Sequence, residues 1–480
     1  MIVLFEVVVL GIPAAFVCGS IFFARLSASR VRQNRADSMA RGTAVAMVGI
    51  TVVALTAWST REDTHYDDFG SVMTVLAGIY GGSLLILGLG PFVPWLLGVL
   101  GRNAVHLPRV FRPAARHVGG IPARTAAGVA TTMVGTAVAT ALMIIAPAVT
   151  AHGRANYYPE ARPGALVVEV FSAEQAATVR AAVQHELPGV PITEAGSDTG
   201  PGHLAVSSPD IIWTEPYIGD QALLRYLTGK PSTPYDKGTA VLVSTDEEEV
   251  ASVRIEYTSA GTDDSPSGEN IPVITIRSPD PRFGRLFIPR EAAISLGFRP
   301  QPERLIIDPS HYRVSATEQE RLDRRLSGTA VTYVERGYQA ATEWRYVVAV
   351  MILIALAGAL AATRAAGSKR ILLRISGGSA VALRFLTACR AAVSAACGTA
   401  IGATAGCFIG LCLAWPLTTS IDWDPPPRPP FETPWTAIAI LIAGLPVLSA
   451  AVAALASPTW LTRSPRTSSG SLPISPTSEP

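Results

Sequence analysis

Acidic side chains and a histidine crowd one short segment of the sequence, where they could offer oxygen and imidazole ligands to a divalent cation. The residues of this segment are Glu62, Asp63, His65, Asp67 and Asp68. A hydrated loop between two apolar helices explains the same composition without any metal. We favour the hydrated loop, so the sequence predicts no metal site and no cofactor.

A second acidic pattern, Asp422 and Asp424, has the D-x-D spacing that occurs in some sugar-transferring enzymes. The pair stands beside prolines at 425–427 and 429–430, which favour a stiff and extended loop. A polytopic membrane enzyme that uses both carboxylates is one hypothesis. The loop explains the two residues with fewer assumptions, and we predict no catalytic residue.

Three motifs typical of hydrolytic enzymes do not occur in the sequence. It has no G-x-x-x-x-G-K-[ST] phosphate loop, no H-x-x-x-H pair and no G-x-S-x-G nucleophile elbow. The chain is therefore not expected to be an enzyme, and any ATP hydrolysis is expected on a partner chain. All five cysteines lie in apolar runs, so the polar middle of the chain is neither a disulfide scaffold nor a zinc ribbon.

Glycine recurs at every fourth position in one apolar run, at Gly398, Gly402, Gly406 and Gly410. Residues four apart lie on one helix face, and a face without side chains lets a neighbouring helix approach closely. We predict tight helix packing there, with a partner helix in this chain or in another. Arg384 and Arg390 precede the repeat, and anchoring at the membrane interface is favoured over substrate contact for them.

Composition indicates the elements that carry these residues. The chain has 480 residues, of which 49% are hydrophobic and only 16% charged, and its mean hydropathy is +0.33. A bilayer span needs roughly 20 mostly apolar residues. Seven stretches qualify, namely 1–24, 43–59, 72–98, 125–149, 346–363, 387–415 and 435–457. We predict an α-helical polytopic membrane protein with about seven transmembrane helices.

The distribution of arginine and lysine predicts how these spans are oriented, because cytoplasmic loops retain positive charge. Three segments are basic and are expected inside the cell: 25–42, 99–124 and 364–385. The Pro-rich loop 416–434 leans acidic and is expected outside. Alternation then places the amino terminus outside and a disordered tail, 458–480, in the cytoplasm of a plasma-membrane protein. The net charge of +2 argues against nucleic acid as a partner.

The long segment 151–344 differs from the rest in charge, with 27 acidic and 18 basic residues. It alternates β-branched runs with helix-like stretches, so we predict one inserted extracytoplasmic α+β domain. Expected strands include 165–171 and 285–289, and Ser315 and Glu318 have the spacing of a helix capping box. The segments 195–203 and 259–270 are expected to be flexible loops, as their composition is Gly, Ser, Asp and Pro rich.

This order of spans, domain and basic loops resembles the core unit of the FtsX-like (MacB-type) ABC transporter permease family. Two segments carry the resemblance, 112–133 (RPAARHVGGIPARTAAGVATTM) and 372–379 (LLRISGGS). The whole chain resembles the carboxy-terminal half of the two-core permeases of actinobacteria. That reading implies a first half that is lost, encoded separately or omitted by a misplaced start codon.

The resemblance implies a permease subunit that acts with a separate cytoplasmic ABC ATPase by mechanotransmission, on a lipid-linked, peptide or cell-envelope substrate. The other expected partners are the lipid bilayer and either a separate amino-terminal permease half or a second copy. The residues that match the ATPase-coupling segment are Lys369, Leu372, Leu373, Arg374, Gly377 and Gly378. Lys369 and Arg390 reverse the charge common in the family, so a decoupled membrane sensor or scaffold without transport is the alternative.

Overall fold

The computed structural model describes residues 35–61, 68–106, 108–120, 122–198, 204–207, 216–244, 250–257, 267–278, 283–296, 298–365, 380–419 and 428–456. The chain divides into two compact units. One is the sheet domain, Tyr157–Gln339, and the other is the helical unit, formed by the residues before and after it. The predicted first span, 1–24, and the tail 458–480 lie outside the described residues.

The helical unit starts with two long apolar helices, α1 (Arg35–Ser59) and α2 (Asp68–Leu89). A methyl group at Gly49 would overlap the backbone of α2 at Gly81 and Leu85, so the two helices pack at backbone distance. This close approach needs glycine, because any side chain would push the helices apart.

The predicted span 72–98 is wrong as a single helix. The structure ends α2 at Leu89 and begins a separate helix, α3 (Phe92–Arg102), directly after Pro91. Proline has no backbone N–H and its ring clashes with the preceding turn, which favours a break here, although two other described helices contain an internal proline. The basic segment that follows is itself helical, with a short 3-10 turn at Asn103–His106 and helix α4 (Arg112–Gly120).

Helix α5 (Pro122–Ala155) leads into the sheet domain. Its 34 residues extend about 50 Å at 1.5 Å per residue, which is longer than a bilayer core. The sequence assigns 151–154 to the inserted domain, but in the structure these residues are the last turn of α5. The domain therefore begins at Tyr157, six residues later than predicted.

The sheet domain contains ten described strands in a single sheet with the order β10-β1-β9-β2-β4-β8-β5-β7-β6-β3. Most neighbouring strands are antiparallel, and the pairs β4/β8 and β5/β7 are parallel. The strands are β1 (Leu166–Val170), β2 (Thr193–Asp198), β3 (Leu204–Ser207), β4 (Tyr217–Gly219), β5 (Ala240–Ser244), β6 (Ser252–Tyr257), β7 (Ser267–Arg277), β8 (Arg285–Pro289), β9 (Pro300–Ile307) and β10 (Ala330–Val334).

Four helices of the domain pack among these strands. They are α6 (Ala176–Glu186), α7 (Gln221–Thr228), α8 (Arg290–Ser295) and α9 (Ala316–Leu326). Strand β1 is buried on both faces, because Val168 packs with Val179 of α6 and Leu322 of α9, whereas Val167 packs with Leu224 of α7. The domain thus has apolar cores on both sides of its sheet, as expected for an α+β domain.

Two loop predictions are wrong in part. The predicted loop 195–203 begins inside β2, where Gly196 lies at a register shift and its Cα is too close to Gln301 for a side chain. Glycine is tolerated there because a bulge brings two backbones close together. The predicted loop 259–270 ends inside β7, whose first residues pair with β6.

The helical unit resumes with α10 (Trp344–Ala365), α11 (Ala380–Leu413) and α12 (Trp435–Leu455). Among the described residues, six helices are long and apolar enough to cross a bilayer, as expected for a membrane-embedded protein. Four of them are α1, α2, α10 and α12, and the other two are α5 and α11. Helix α5 is the most buried of the six and packs against both α10 and α11.

Candidate functional site

The six residues that match the coupling segment, from Lys369 to Gly378, lie outside the described residues. The same is true of Asp422 and Asp424 and of the whole acidic loop 62–67. In the part of the chain that the structure describes, no group of His, Cys, Asp and Glu side chains could hold a metal ion. The predicted residues that the structure does place are the four glycines of α11 and the two arginines before them.

The glycine repeat of α11 lies against α5, so its neighbour is a helix of the same chain. A methyl group at Gly398 would come within 2.8 Å of the Thr132 side chain, and one at Gly410 within 3.0 Å of Ala141. At Gly402 it would overlap the carbonyl oxygen of Met133, and at Gly406 that of Ala137. Successive glycines of α11, four residues apart, contact residues of α5 that are also four apart and in the same order. The two helices therefore run parallel. We term this arrangement the glycine contact.

A second close approach, which the sequence analysis missed, joins α5 to α10. A methyl group at Gly128 would lie 2.6 Å from the carbonyl oxygen of Gly358, and one at Gly135 would lie 2.7 Å from that of Met351. Thr132 lies between these glycines and donates a hydrogen bond of 2.9 Å to the Ala355 carbonyl oxygen. Helix α5 is therefore in backbone contact with two helices. The seven-residue spacing of Gly128 and Gly135 is a signal that could have indicated this face.

The first residues of the sheet domain, 157–165, form a linker that is hydrogen-bonded to its strands. Arg285 donates to the Pro159 carbonyl oxygen at 3.0 Å, and Tyr217 donates to that of Glu160 at 2.8 Å. Tyr333 donates to the Glu160 carboxylate at 2.5 Å. The linker is thus held by residues of β4, β8 and β10, which are scattered through the domain sequence.

Glu335 ties the start of the sheet domain to its end. Its side chain accepts hydrogen bonds from the Tyr157 hydroxyl at 2.5 Å and from the Gly337 N–H at 2.7 Å. Its backbone carbonyl oxygen accepts from the Gly164 N–H at 2.7 Å, and its own N–H donates to Ala165 at 2.9 Å. Glu335 is only 4% exposed. The bonds of Glu335 and those that hold residues 157–165 are together termed the linker clamp.

Two tyrosines of the linker clamp keep their protons over the physiological range. Burial, followed by the hydrogen bond to Glu335, raises the pKa of Tyr157 well above its ordinary value. Burial and the Glu160 carboxylate raise the pKa of Tyr333 in the same direction. Both hydroxyls therefore stay donors to the carboxylates that they contact.

A cationic and aromatic group surrounds Tyr217 in the centre of the domain. Arg304 donates to the Tyr217 hydroxyl at 3.0 Å and forms an ion pair with Glu169 at 3.2 Å. The guanidinium groups of Arg304 and Arg285 each lie 5.6 Å from the Tyr217 ring centroid, within reach of a cation–π interaction. These contacts fix Tyr217, the residue that holds the linker at Glu160.

The two arginines that precede the glycine repeat have different surroundings. Arg384 is exposed, whereas Arg390 is only 1% exposed and is among the largest fully buried side chains. Its Nε and Nη2 atoms have no hydrogen-bond partner among the described residues, and the same is true of the buried Ser394 hydroxyl. The sequence favours an interface anchor at Arg390, but the structure buries this side chain in protein, unlike an exposed anchor.

The comparisons with known proteins identify no family for this chain. No protein-family model matches the chain. No curated protein matches it either.

Proposed function

We propose that this chain is a permease-type membrane subunit that acts with a separate cytoplasmic ATPase and transmits motion to its sheet domain. In this proposal the sheet domain and the amino terminus lie outside the cell, and the segment 364–385 and the carboxy terminus lie in the cytoplasm. The substrate is lipid-linked, peptide or part of the cell envelope. No channel through the membrane is required.

The observation that carries the proposal is the glycine contact. Helix α11 begins within the segment 364–385, soon after the residues that match the coupling motif, and α5 leads directly into the sheet domain. These two helices touch through their backbones, without long side chains that could change rotamer and absorb a displacement. A tilt or shift imposed on α11 by a docked ATPase would therefore displace α5 as well.

The contact between α5 and α10 also supports the proposal that motion of the helices reaches the sheet domain. Helix α10 follows the sheet domain in the chain, so both covalent connections of the domain belong to helices that pack together at backbone distance. A movement of α5 relative to α10 would change the separation of these two connections. Neither helix carries an acidic residue, so packing and not ion pairing has to hold them.

The linker clamp supports the last step of the proposal, the transfer of force from α5 to the sheet domain. A displaced α5 pulls on residues 157–165, which are hydrogen-bonded to Arg285, Tyr217 and Tyr333 on three different strands. Force at the end of α5 is then shared by the sheet instead of unravelling the linker. This is the mechanical property that mechanotransmission requires of the domain.

The first test is purification of the tagged full-length chain from its native membrane in a mild detergent. We expect a co-purified subunit that contains the phosphate-loop motif and hydrolyses ATP with release of inorganic phosphate. Recovery of the chain without any such ATPase, at several detergent strengths, would contradict the proposal. It would favour the alternative of a permease-derived sensor or scaffold.

The second test separates binding of the ATPase from transmission. Gly406→Ala places a methyl group against the Ala137 carbonyl oxygen, whereas Gly444→Ala on α12 meets no heavy atom within 4 Å. We expect the Gly406 variant to retain the ATPase but to lose the effect of ATP on protease cleavage of the sheet domain. The Gly444 variant should behave as the wild type. Equal responses of both variants would argue against transmission through the glycine contact.

A further inference from the structure

Arg390 and Ser394 continue the four-residue spacing of the glycine repeat toward the start of α11. The glycine part of this ridge is filled by the backbone of α5. In the polar part, the Nε and Nη2 atoms of Arg390 and the hydroxyl of Ser394 are buried and have no partner among the described residues. A buried guanidinium without an anion is unfavourable, and among the described residues nothing compensates the positive charge at the end of the ridge.

The helices around Arg390 supply no carboxylate. Its neighbours on α11, Cys389 and Val393, cluster with Ala114 of α4 and with Leu100 of α3. The helices α3, α4, α5 and α11 contain no aspartate or glutamate, and the sequence has none from residue 344 to 421. The charge of Arg390 is therefore not balanced by the helices that pack with it.

The remaining helices that pack on α11 offer carboxylates only at their first turns. Asp37 of α1 has an exposed side chain. Asp68 is the first residue of α2, which runs antiparallel to α11, since Gly78 approaches Leu413 and Gly82 approaches Ile409. Asp68 therefore begins its helix beyond the opposite end of α11 from Arg390. No carboxylate of these described helices is therefore placed to balance Arg390.

The position of Arg390 along α11 is close to the expected membrane interface, although its side chain is enclosed by protein. Arg390 lies three residues after 387, the expected start of the apolar span, which is about 4.5 Å along the helix axis. The preceding turns expose Val381 and Phe385, with 74% and 55% of their surface accessible. Helix α4 adds the exposed Arg116 beside its buried alanines. Basic and apolar groups near an interface are typical of sites for anionic lipid headgroups.

We infer that Arg390 and Ser394 bind the phosphate group of an anionic phospholipid at the junction of α3, α4 and α11. The guanidinium offers paired N–H donors that match two phosphate oxygens, and the hydroxyl offers one more. The apolar run of α11 that follows Arg390, within the expected span 387–415, lies at the depth of the acyl chains. This inference does not depend on the proposed function, because it concerns the chain alone in its bilayer.

The phosphate reaches Arg390 only if a neighbouring element moves, because the side chain is enclosed. Helix α4 is the shortest of the helices around Arg390, and we expect it to be the element that moves. It has nine residues, and the ones it buries are Ala114, Ala115 and Val118. Small side chains contribute little buried apolar area, so α4 is released more readily than a membrane-spanning helix. Lipid binding is therefore expected to increase amide exchange in 112–120.

The test uses the full chain, purified in detergent and depleted of lipid, and titrated with defined lipids under native mass spectrometry. The probes are phosphatidylglycerol and phosphatidylcholine with the same acyl chains, and inorganic phosphate alone. We expect the wild type to retain one phosphatidylglycerol per chain and to bind phosphatidylcholine at least about tenfold more weakly. Equal retention of both lipids, or equal binding of inorganic phosphate alone, would overturn the inference.

Three arginine variants complete the test. Arg390→Met keeps an unbranched, apolar stem without the charged group and should weaken phosphatidylglycerol binding about tenfold. Arg384→Met, at an exposed position of the same helix, should change it by less than about twofold. A wild-type affinity in the Arg390 variant would overturn the inference. If that variant does not fold, Arg390→Lys keeps the charge and should bind with intermediate affinity, and wild-type affinity there would equally count against a paired guanidinium contact.

Discussion

The glycine contact of the helical unit and the linker clamp of the sheet domain hold neighbouring segments together with different groups. Between α5 and α11 the contacts are made by glycine Cα atoms, backbone carbonyl oxygens and threonine side chains. In the clamp they are made by tyrosine hydroxyls, carboxylates and arginine. One relies on close packing and the other on directed hydrogen bonds.

The difference follows from the solvent of each region. Between apolar helices in lipid there is no hydrophobic gain from association, so close backbone packing supplies the attraction. In a domain with water around it, charged hydrogen bonds can be built at the edge of an apolar core, where the partners stay satisfied. We therefore expect the glycine contact to respond to side-chain volume and the linker clamp to respond to the loss of polar groups.

The largest expected effect is that of Gly402→Leu. The new side chain would overlap the Met133 carbonyl oxygen and the Thr136 hydroxyl, so the two helices have to separate along the repeat. We expect the free energy of unfolding to fall by about 3 kcal/mol. Thermal unfolding of the detergent-purified chain, followed by tryptophan fluorescence, measures this loss. Gly444→Leu is the matched control, and equal melting temperatures of the two variants would refute the glycine contact.

The second prediction is that Glu335→Ala destabilises the linker clamp. This change removes the acceptor of both the Tyr157 hydroxyl and the Gly337 N–H, and it should cost about 2 kcal/mol. Hydrogen exchange of peptides that cover 157–165 should become faster, because the linker is released. Arg336→Ala, at an exposed neighbour, serves as the control. Unchanged exchange of the linker would show that Glu335 does not hold it.

Local sequence patterns predicted much of the sheet domain. The strand at 285–289 has the predicted limits, and Ser315 and Glu318 form the predicted capping box. Helix α7 was missed although its signals are present, since Asp220 caps its start and Gly229 ends it with a φ of 64°. An eight-residue helix shows too few turns for its period to stand out.

The linker clamp could not be predicted from the sequence. Tyr157 and Glu335 are 178 residues apart, and they meet only because β1 pairs with β10 and β9 in one mixed sheet. Strand order is decided by packing of both faces, which no local pattern encodes. The sequence predicted the helix face that the glycine repeat forms but did not identify the helix that packs on it. On α5, threonines at the same four-residue spacing, Thr132, Thr136 and Thr140, lie against these glycines and are the signal that could have identified this helix.

A smaller effect is expected for Tyr157→Phe. The ring keeps its contact with Tyr338, at a centroid distance of 5.9 Å, and only the hydrogen bond to Glu335 is lost. The cost should be about 1 kcal/mol, about half that of Glu335→Ala. Tyr158→Phe changes a residue that is 50% exposed and is the matched control. If both tyrosine variants unfold alike, the hydroxyl of Tyr157 contributes nothing to the clamp.

The smallest effect is the loss of stability of helix α9 at low pH. It distinguishes the sheet domain, which has titrating groups, from the glycine contact. Hydrogen bonds from Tyr312 and from the Ser315 backbone lower the pKa of Glu318 to about 2. Since the pKa is lower in the folded state, the stabilisation is complete above about pH 5 and is lost as the pH falls toward 2. The capping box of Ser315 and Glu318 should contribute about 1 kcal/mol or less to the stability of α9, because Glu318 is partly exposed.

Hydrogen exchange of α9, measured between pH 6 and pH 3 and corrected for intrinsic rates, tests this contribution. Protection of α9 should fall more in the wild type than in Glu318→Gln, which keeps the shape of the side chain but does not titrate. The facing segments of α5 and α11, 129–144 and 398–410, contain no Asp, Glu or His, so their protection should stay constant over the same range. A parallel loss of protection in these segments would show that the two regions unfold together, and the contrast between packed and hydrogen-bonded contacts would then not hold at low pH.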